Sequence, residues 1–154
     1  LITAAFHPDG HLFAAGGSDG QAKLFHVKTC ESAAAFNVQG PIHDLTFSEN
    51  GIWFSAIAKG SNSVVIFDLR KDGKSAEAKV FQMEGPVNCI RWDYTGQYLV
   101  IAGSESIKIY KYTKSTKSWS DVITLNVAAT AVAWGSEARS LITISYDGVV
   151  KVLK

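Results

Sequence analysis

The sequence predicts an all-β fold made of four similar units, and three observations lead to this prediction. An aromatic residue that precedes a polar turn recurs at intervals of about 41 to 45 residues. Short apolar runs alternate with turns rich in Gly, Asp, Asn and Ser, as is typical of strands joined by tight connections. No segment sustains an apolar period of 3.6 residues over a dozen positions. The recurring aromatic residues are Phe6, Phe47, Trp92 and Trp134.

Within each unit, a turn follows the aromatic residue and further apolar runs follow the turn. The turns at 7–10, 48–51 and 93–96 end in glycine, which adopts positive φ at little steric cost, whereas the turn at 135–139 lacks the final glycine. We label the runs of one unit strands a, b, c and d. Strands a are predicted at 3–6, 43–47, 88–92 and 130–134; strands b at 12–16, 52–58, 98–102 and 141–145; strands c at 22–27, 64–69, 107–112 and 149–153; strands d at 33–38, 78–83 and 122–127.

The predicted repeats therefore occupy residues 1–40, 41–85, 86–127 and 128–154, and the last repeat lacks strand d. Such a four-stranded unit buries its faces by stacking against neighbours around an axis. Phe67-Asp68 ends strand c of the second repeat, where WD40 repeats carry Trp-Asp, although the other repeats depart from this dipeptide. The chain resembles part of a WD40 β-propeller. We expect about four blades of a seven-bladed ring, its C-terminal half, with earlier blades preceding Leu1.

Composition limits the classes of function. The chain has 154 residues, of which 47% are apolar and 19% charged, and its net charge is +1. This length suffices for a sizeable core. The near-neutral charge argues against a chain whose main role is to bind phosphate backbones. No apolar run approaches the roughly 18 residues of a membrane span, and no signal peptide is visible in residues 1–9. Cys30 and Cys89 form no disulfide framework, which favours a reducing compartment.

Five segments resemble one family of WD40 proteins in order and spacing. They are Phe-His-Pro-Asp-Gly at 6–10, Gly-Pro-Ile at 40–42, Phe-Ser-Glu-Asn-Gly at 47–51, Phe-Asp-Leu-Arg-Lys at 67–71 and Gly-Gln-Tyr-Leu at 96–99. Together they resemble the C-terminal WD40 region of the pre-mRNA-processing factor 19 family. The resemblance covers most of the chain and fades between residues 104 and 120.

This resemblance implies a nuclear scaffold for pre-mRNA splicing. Members of the family are U-box E3 ubiquitin ligases that form homotetramers through a coiled coil, and their propeller docks substrates and other subunits of the spliceosomal nineteen complex. The U-box and the coiled coil precede the propeller and lie outside this sequence. The chain itself is therefore expected to be non-catalytic, to need no cofactor or metal, and to contact RNA only indirectly or weakly.

Three motifs that suggest chemistry are better explained as structure. Gly-Lys-Ser at 73–75 ends a segment that lacks the first glycine of a phosphate-binding loop and precedes a predicted strand rather than a helix. His7 and His11 have the spacing of a helical zinc site but flank a helix-breaking Pro-Asp-Gly turn. The two cysteines lack a histidine partner pattern. We expect no catalytic, metal or cofactor residue among them.

Two sets of residues are candidates for partner binding. On the face that carries the a–b turns and c–d connections, the candidates are Lys114, Lys117 and Trp119, which lie in a segment expected to be irregular. The c–d connections also place Lys28, Arg70, Lys71, Lys74 and Lys111 on that face. Acidic residues of the a–b turns (Asp9, Glu49, Asp93 and Glu137) are expected to offset these cations. On the opposite face, topology alone suggests Lys59, Asn62, Glu105 and Tyr146.

Two other functions compete with this interpretation. One is a WD40 adaptor or substrate receptor of an unrelated complex. The other is a propeller enzyme with a site at the central channel, which needs convergent acids, histidines or metal ligands on strands a. These strands offer only His43 and Asp44, so the enzyme is the weakest alternative.

Overall fold

The computed structural model of the chain describes residues 2–154, and for Ala138 only the backbone. Leu1, where the first predicted repeat begins, lies outside the described residues. In this range the strands form four antiparallel sheets, which confirms the predicted all-β class. The first sheet contains β1 (Thr3–Phe6), β2 (Leu12–Gly16), β3 (Gln21–His26) and β4 (Ser32–Asn37); the second β5 (Ile42–Phe47), β6 (Trp53–Ala58), β7 (Ser63–Asp68) and β8 (Glu77–Gln82); the third β9 (Val87–Trp92), β10 (Tyr98–Gly103), β11 (Ile107–Thr113) and β12 (Ser118–Leu125); the fourth β13 (Ala131–Trp134), β14 (Leu141–Ile144) and β15 (Val150–Leu153).

Each sheet is a meander, because its strands pair in the order in which they occur in the chain. Two short 3-10 helices, Gly73–Ala76 and Ser136–Ala138, lie in connections. The turn between β5 and β6 shows how the sequence produces these connections. Gly51 has φ +69, and the Asn50 side chain accepts hydrogen bonds from the Ser48 hydroxyl (2.6 Å) and the Ile52 N–H (3.0 Å). Glycine and asparagine thus close the turn locally.

The core consists of three apolar layers, one between each pair of consecutive sheets. Strand β6 contributes to two of them: Phe54 packs in the layer facing the first sheet, whereas Trp53 and Ile57 pack in the layer facing the third. All six residues of β6 are buried. Because successive side chains of a strand point to opposite faces, a strand buried on both faces loses the apolar–polar alternation. This explains why residues 52–58 are apolar apart from Ser55.

The outer strand of the third sheet begins earlier than predicted. The sequence placed this strand at 122–127 and an irregular segment before it, but β12 begins at Ser118. Residues 118–120 pair with Lys111, Tyr112 and Thr113 of β11, and Trp119 stands opposite Tyr112. Most of β12 is exposed, and three of its first four residues (Ser118, Ser120 and Asp121) are polar, so the sequence gives little sign of a strand there. The strand forms because Trp119 packs against an aromatic cluster of the second and third sheets.

One buried hydrogen bond ties the second sheet to the third. The indole N–H of Trp92 donates to the Ser55 hydroxyl at 2.9 Å, and Ser55 is fully buried. We expect Ser55→Ala to lower the free energy of unfolding by about 1 to 3 kcal/mol, because the indole N–H then lies buried without an acceptor. Urea unfolding of the complete protein measures this change. Ser18→Ala, at an exposed serine, is the control and should leave stability unchanged. Equal stability of Ser55→Ala and this control would contradict the assignment.

Candidate partner-binding groove between the second and third sheets

A groove of about 510 Å³ lies where connections of the second and third sheets meet at one edge of the molecule. The ends of β6, β7, β11 and β12 position its side chains. Three of the predicted partner-binding residues line it together: Lys114, Lys117 and Trp119. Arg70 and Lys71, which the sequence placed on the same face, also line it, whereas the sequence did not place the other lining residues there. The groove also contains Asn50, Ile52, Trp53, Asp68, Arg70, Lys71, Glu77, Ala78, Gly96, Gln97 and Tyr112.

Three aromatic rings form the floor of the groove. Trp53 is buried, and its ring centroid lies 4.9 Å from that of Tyr112 and 5.7 Å from that of Trp119, both in edge-to-face geometry. Tyr112 and Trp119 are 5.1 Å apart and half-buried. Aromatic pairs of this kind contribute about 0.5 to 1.5 kcal/mol each beyond area burial. The floor is therefore rigid before any partner binds, which lowers the entropic cost of binding.

A bidentate ion pair forms one wall. The Asp68 carboxylate accepts hydrogen bonds from Arg70 Nε (2.9 Å) and Nη2 (2.8 Å), and the guanidinium lies 5.8 Å from the Trp53 ring centroid. Hydrogen bonding to Arg70 lowers the pKa of Asp68, and the same contact raises the pKa of Arg70. The pair positions Arg70 but compensates its charge within the protein. Arg70 is thus a fixed wall rather than a free cation.

Uncompensated positive charge lies at the rim. Lys71, Lys114 and Lys117 are exposed, and within residues 2–154 none of them forms an ion pair. Lys114 and Lys117 open and close the loop that joins β11 to β12, and Lys117 adopts φ +51. Besides Asp68, which is paired with Arg70, Glu77 is the acidic side chain that lines the groove. The rim therefore carries a local excess of cations over a rigid aromatic floor.

The expected compensation by acidic turns is weaker than the sequence suggested. Asp93 was predicted to offset the lysines from the a–b turn of the third sheet, but its residue exposure is 0%. Its carboxylate instead accepts hydrogen bonds from the backbone N–H groups of Thr95, Gln97 and Tyr98. An aspartate that closes its own turn is a common local motif. Asp93 is therefore a structural residue and contributes no surface acid beside the groove.

A contact between two turns fixes the end of the groove. The Asn50 side-chain amide of the second sheet donates to the Gly96 carbonyl of the third sheet at 3.2 Å. Gly96 has φ +67, and a Cβ there would lie 2.5 Å from the Asn50 amide. Only glycine meets both conditions without strain. This hydrogen bond thus fixes the position of the two turns relative to each other at the groove.

The four candidates on the opposite edge are spread over three loops. Lys59 and Asn62 lie between β6 and β7, Glu105 between β10 and β11, and Tyr146 between β14 and β15, and all are exposed. Asn62 lines a separate cavity of about 540 Å³ that none of the other three lines. The Tyr146 hydroxyl accepts a hydrogen bond from the Asn88 amide at 2.9 Å. The structure does not gather these four residues into one site.

His43, Asp44 and Cys89, three of the residues with potential for catalysis or metal binding, have structural partners. Asp44 accepts a hydrogen bond from Arg91 Nη1 at 2.9 Å, and His43 Nε2 lies 3.2 Å from the Asn88 carbonyl oxygen. Cys89 is buried, and this burial raises the pKa of its thiol, whereas Cys30 is exposed. In the described part of the chain, no group of three or more His, Cys, Asp or Glu side chains is arranged to hold a metal ion. None of the described helices has the length and apolar character that a membrane crossing requires.

Glu84, which lies in a charged cluster beside the opposite edge, has an unusually low pKa. Hydrogen bonds from Lys108 Nζ (2.7 Å) and the Ser106 hydroxyl (2.8 Å) lower the pKa of Glu84 to about 2. A lowered pKa in the folded state stabilises the fold above the ordinary carboxyl pKa of 4.5, and this contribution is lost as the pH falls from there to about 2.

We expect Lys108→Ala to raise the pKa of Glu84 toward 4.5, because the principal donor to its carboxylate is removed. An NMR titration of the Glu84 side-chain carbonyl measures the shift. Lys28→Ala removes an exposed lysine at the other edge of the molecule, between β3 and β4, and should leave the titration unchanged. The same low pKa in both variants would show that Lys108 is not its cause.

Two family models match the sequence. The model described as eukaryotic translation initiation factor eIF2A matches residues 16–152, and the model described as WD domain, G-beta repeat, matches residues 2–26. A solved structure, the crystal structure of the mitotic checkpoint complex, contains a chain that superposes with a TM-score of 0.80 at 13% identity, over 99% of this chain and 48% of that chain. At this identity the likeness shows the fold alone, and the fold is that of a partial WD-repeat β-propeller, as predicted. Because the first model covers most of the sequence, the chain belongs to the family that this model describes.

Individual relatives carry a more specific name. The chain is 28% identical over 97% of its length to pre-mRNA-processing factor 19 of Schizosaccharomyces pombe and 32% identical over 97% to pre-mRNA-processing factor 19 homolog 2 of Arabidopsis thaliana. It is 37% identical over 70% of its length to pre-mRNA-processing factor 19 of Dictyostelium discoideum. It spans 30%, 28% and 21% of these relatives, respectively. The resemblance inferred from the sequence motifs is confirmed.

Proposed function

We propose that this chain is a protein-docking module of a pre-mRNA splicing factor, and that its groove receives an acidic segment of a partner protein. The names of the relatives support the splicing role, and the WD-repeat fold supports a role in protein interaction. The observation that carries the proposal is the set of uncompensated lysines above the aromatic floor. Trp, Tyr and Arg side chains supply most of the binding energy at protein interfaces, and complementary charges at the rim favour the right partner and speed its association.

The contacts within the groove favour an acidic peptide over a single RNA strand. Stacking of a base requires an open ring face. Trp53 is 4% exposed, and its ring is covered by Arg70 and Tyr112. Tyr112 and Trp119 are half-buried and pack against Trp53 and against each other, so they offer a limited apolar surface, which suits an apolar side chain. Carboxylates that flank such a side chain would reach Lys71, Lys114 and Lys117 at the rim.

The complete protein would then be a U-box ubiquitin ligase. The family resemblance supports further proposals for it: assembly into a homotetramer through a coiled coil, partners among the nineteen-complex and spliceosome subunits, and a nuclear location. In this arrangement the present chain supplies recognition, and the U-box supplies ligase activity. RNA contacts would be indirect or weak, since partner proteins would mediate them.

A second candidate is the docking module of a translation factor, and the match to the eIF2A family model favours it. Affinity purification of the complete protein separates the two candidates. Spliceosomal proteins among the co-purified partners support the splicing role, and ribosomal subunits and initiation factors in their place support translation. Partners from neither machinery would indicate the adaptor or substrate receptor of an unrelated complex.

Charge reversal at the rim tests the groove. The probe is a fluorescent glutamate-rich peptide that contains one phenylalanine. We expect the double variant Lys114→Glu with Lys117→Glu to bind it about tenfold more weakly or worse, because each substitution replaces an attractive ammonium group with a repulsive carboxylate. The salt dependence of binding should also fall, since two attractive charges are lost and salt weakens the repulsion by the two new carboxylates. Fluorescence anisotropy with the complete protein measures both effects.

The matched control is Lys28→Glu with Lys59→Glu, which makes the same change in net charge at two exposed lysines outside the groove. The control should bind the peptide like the unchanged protein, apart from a small long-range effect. Equal weakening in the two double variants would mean that net charge, rather than the groove, governs binding. An unchanged affinity in the Lys114 and Lys117 variant would contradict the proposed site.

A further inference from the structure

The loop that borders the groove presents solvent-exposed hydroxyl groups. Residues 114–117 join β11 to β12 with the sequence Lys-Ser-Thr-Lys, and all four are exposed. Thr113 and Ser118 form the last pair of the β11–β12 ladder, so the loop begins where the sheet ends. Its backbone conformation is fixed by a hairpin, and its side chains point away from the core. A modifying enzyme therefore has access to them.

The hydroxyls of this hairpin are not equivalent. The Thr116 Oγ1 lies 2.6 Å from the Ser118 Oγ, so each of these hydroxyls has a partner. Within the described residues, the Ser115 hydroxyl takes part in no hydrogen bond with the protein. Ser115 is thus the hydroxyl of the loop that can enter another active site without breaking a contact.

Positive charge surrounds Ser115. Lys114 precedes it, Lys117 follows two residues later, and Lys111 lies four residues before it. The residue after it is Thr116, not proline, and no acidic residue occurs between Lys108 and Ser120. Kinases with acidic substrate clefts recognise such basic flanks by electrostatic complementarity. The sequence around Ser115 therefore lacks the proline that proline-directed kinases require and the acidic residues that acid-directed kinases require.

We propose that Ser115 is a phosphorylation site for a basophilic serine/threonine kinase, and that its phosphorylation releases the acidic partner. This inference rests on the proposed function of the groove. The Ser115 Oγ attacks the γ-phosphorus of ATP, the bond between the γ-phosphorus and the oxygen that bridges it to ADP breaks, and ADP leaves. The hydroxyl proton passes to the general base of the kinase. The net result is a phosphoserine, ADP and one proton.

The electrostatic effect follows from the charges of the rim. A phosphoserine carries about −1.5 to −2 charges at pH 7, which matches the combined charge of Lys114 and Lys117. Arg70 is already paired with Asp68. Of the three lysines that line the groove, Lys71 is the one that is distant from Ser115 in sequence. The phosphate would pair with its neighbouring lysines and repel carboxylates of the partner. Modification at one atom thus removes most of the attraction for an acidic segment.

The test begins with the modification itself. The complete protein is incubated with the catalytic domain of a basophilic kinase, such as protein kinase C, and magnesium ATP, and phosphorylated residues are located by mass spectrometry. We expect phosphate on Ser115, its loss in Ser115→Ala, and its retention in Thr116→Ala. Phosphate elsewhere in the loop, or none in the folded protein while a peptide of residues 108–122 is modified, would overturn the assignment.

The second measurement is the affinity for the glutamate-rich peptide. Phosphorylated protein should bind at least about tenfold more weakly than unmodified protein, whereas Ser115→Ala treated with the same kinase should bind unchanged. Equal affinity with Ser115 fully phosphorylated overturns the regulatory inference and leaves the groove intact. If the unmodified protein does not bind the peptide, the proposed groove function fails, and with it the regulatory effect of Ser115. The mass-spectrometric result still decides whether Ser115 is modified.

Discussion

Strand β6 is buried on both faces against different sheets, and this double burial is the constraint on which the rest of the structure depends. Phe54 packs toward the first sheet, while Trp53 and Ile57 pack toward the third. No single blade buries both faces by itself, so each sheet is stable only against its neighbours. The apolar layers fix the spacing and relative orientation of consecutive sheets. The positions of all surface loops follow from that packing.

The candidate groove is a direct consequence of the same packing. Trp53, at the first position of β6, belongs to the core layer between the second and third sheets and also to the floor of the groove. The Asn50–Gly96 hydrogen bond holds two turns together at one end, and the Asp68–Arg70 pair forms a wall. The binding surface is thus built on rigid elements rather than on a mobile loop. This arrangement suits a scaffold, because little order must be gained when a partner binds.

The sequence predicted most of the fold, because strand alternation and turn chemistry are local properties. The turn that ends in Gly51 and the alternating strand at 107–112 need no knowledge of neighbouring sheets. The fourth strand of the third repeat was misplaced, since β12 is largely exposed and one tryptophan holds its start in place. Asp93 was predicted to be a surface acid because it lies in an a–b turn, and these turns emerge on the face of the c–d connections. Its burial became visible only with the positions of the three N–H groups that it accepts from.

Some residues of the candidate site could be predicted from the sequence, and others could not. Lys114, Lys117 and Trp119 could be selected from the sequence, because a basic loop beside an aromatic residue is a local pattern. Arg70 was expected on the same face as these lysines, because all c–d connections of a propeller emerge on one face. Trp53 and Tyr112 could not be assigned to the groove, since they lie on strands of two different sheets and meet only when the second and third sheets pack. By itself, then, the sequence determined the repeat, the strands, the turns and the family resemblance. The tertiary structure alone decided which charges are compensated and which rings share a groove, because both depend on contacts between residues distant in the chain.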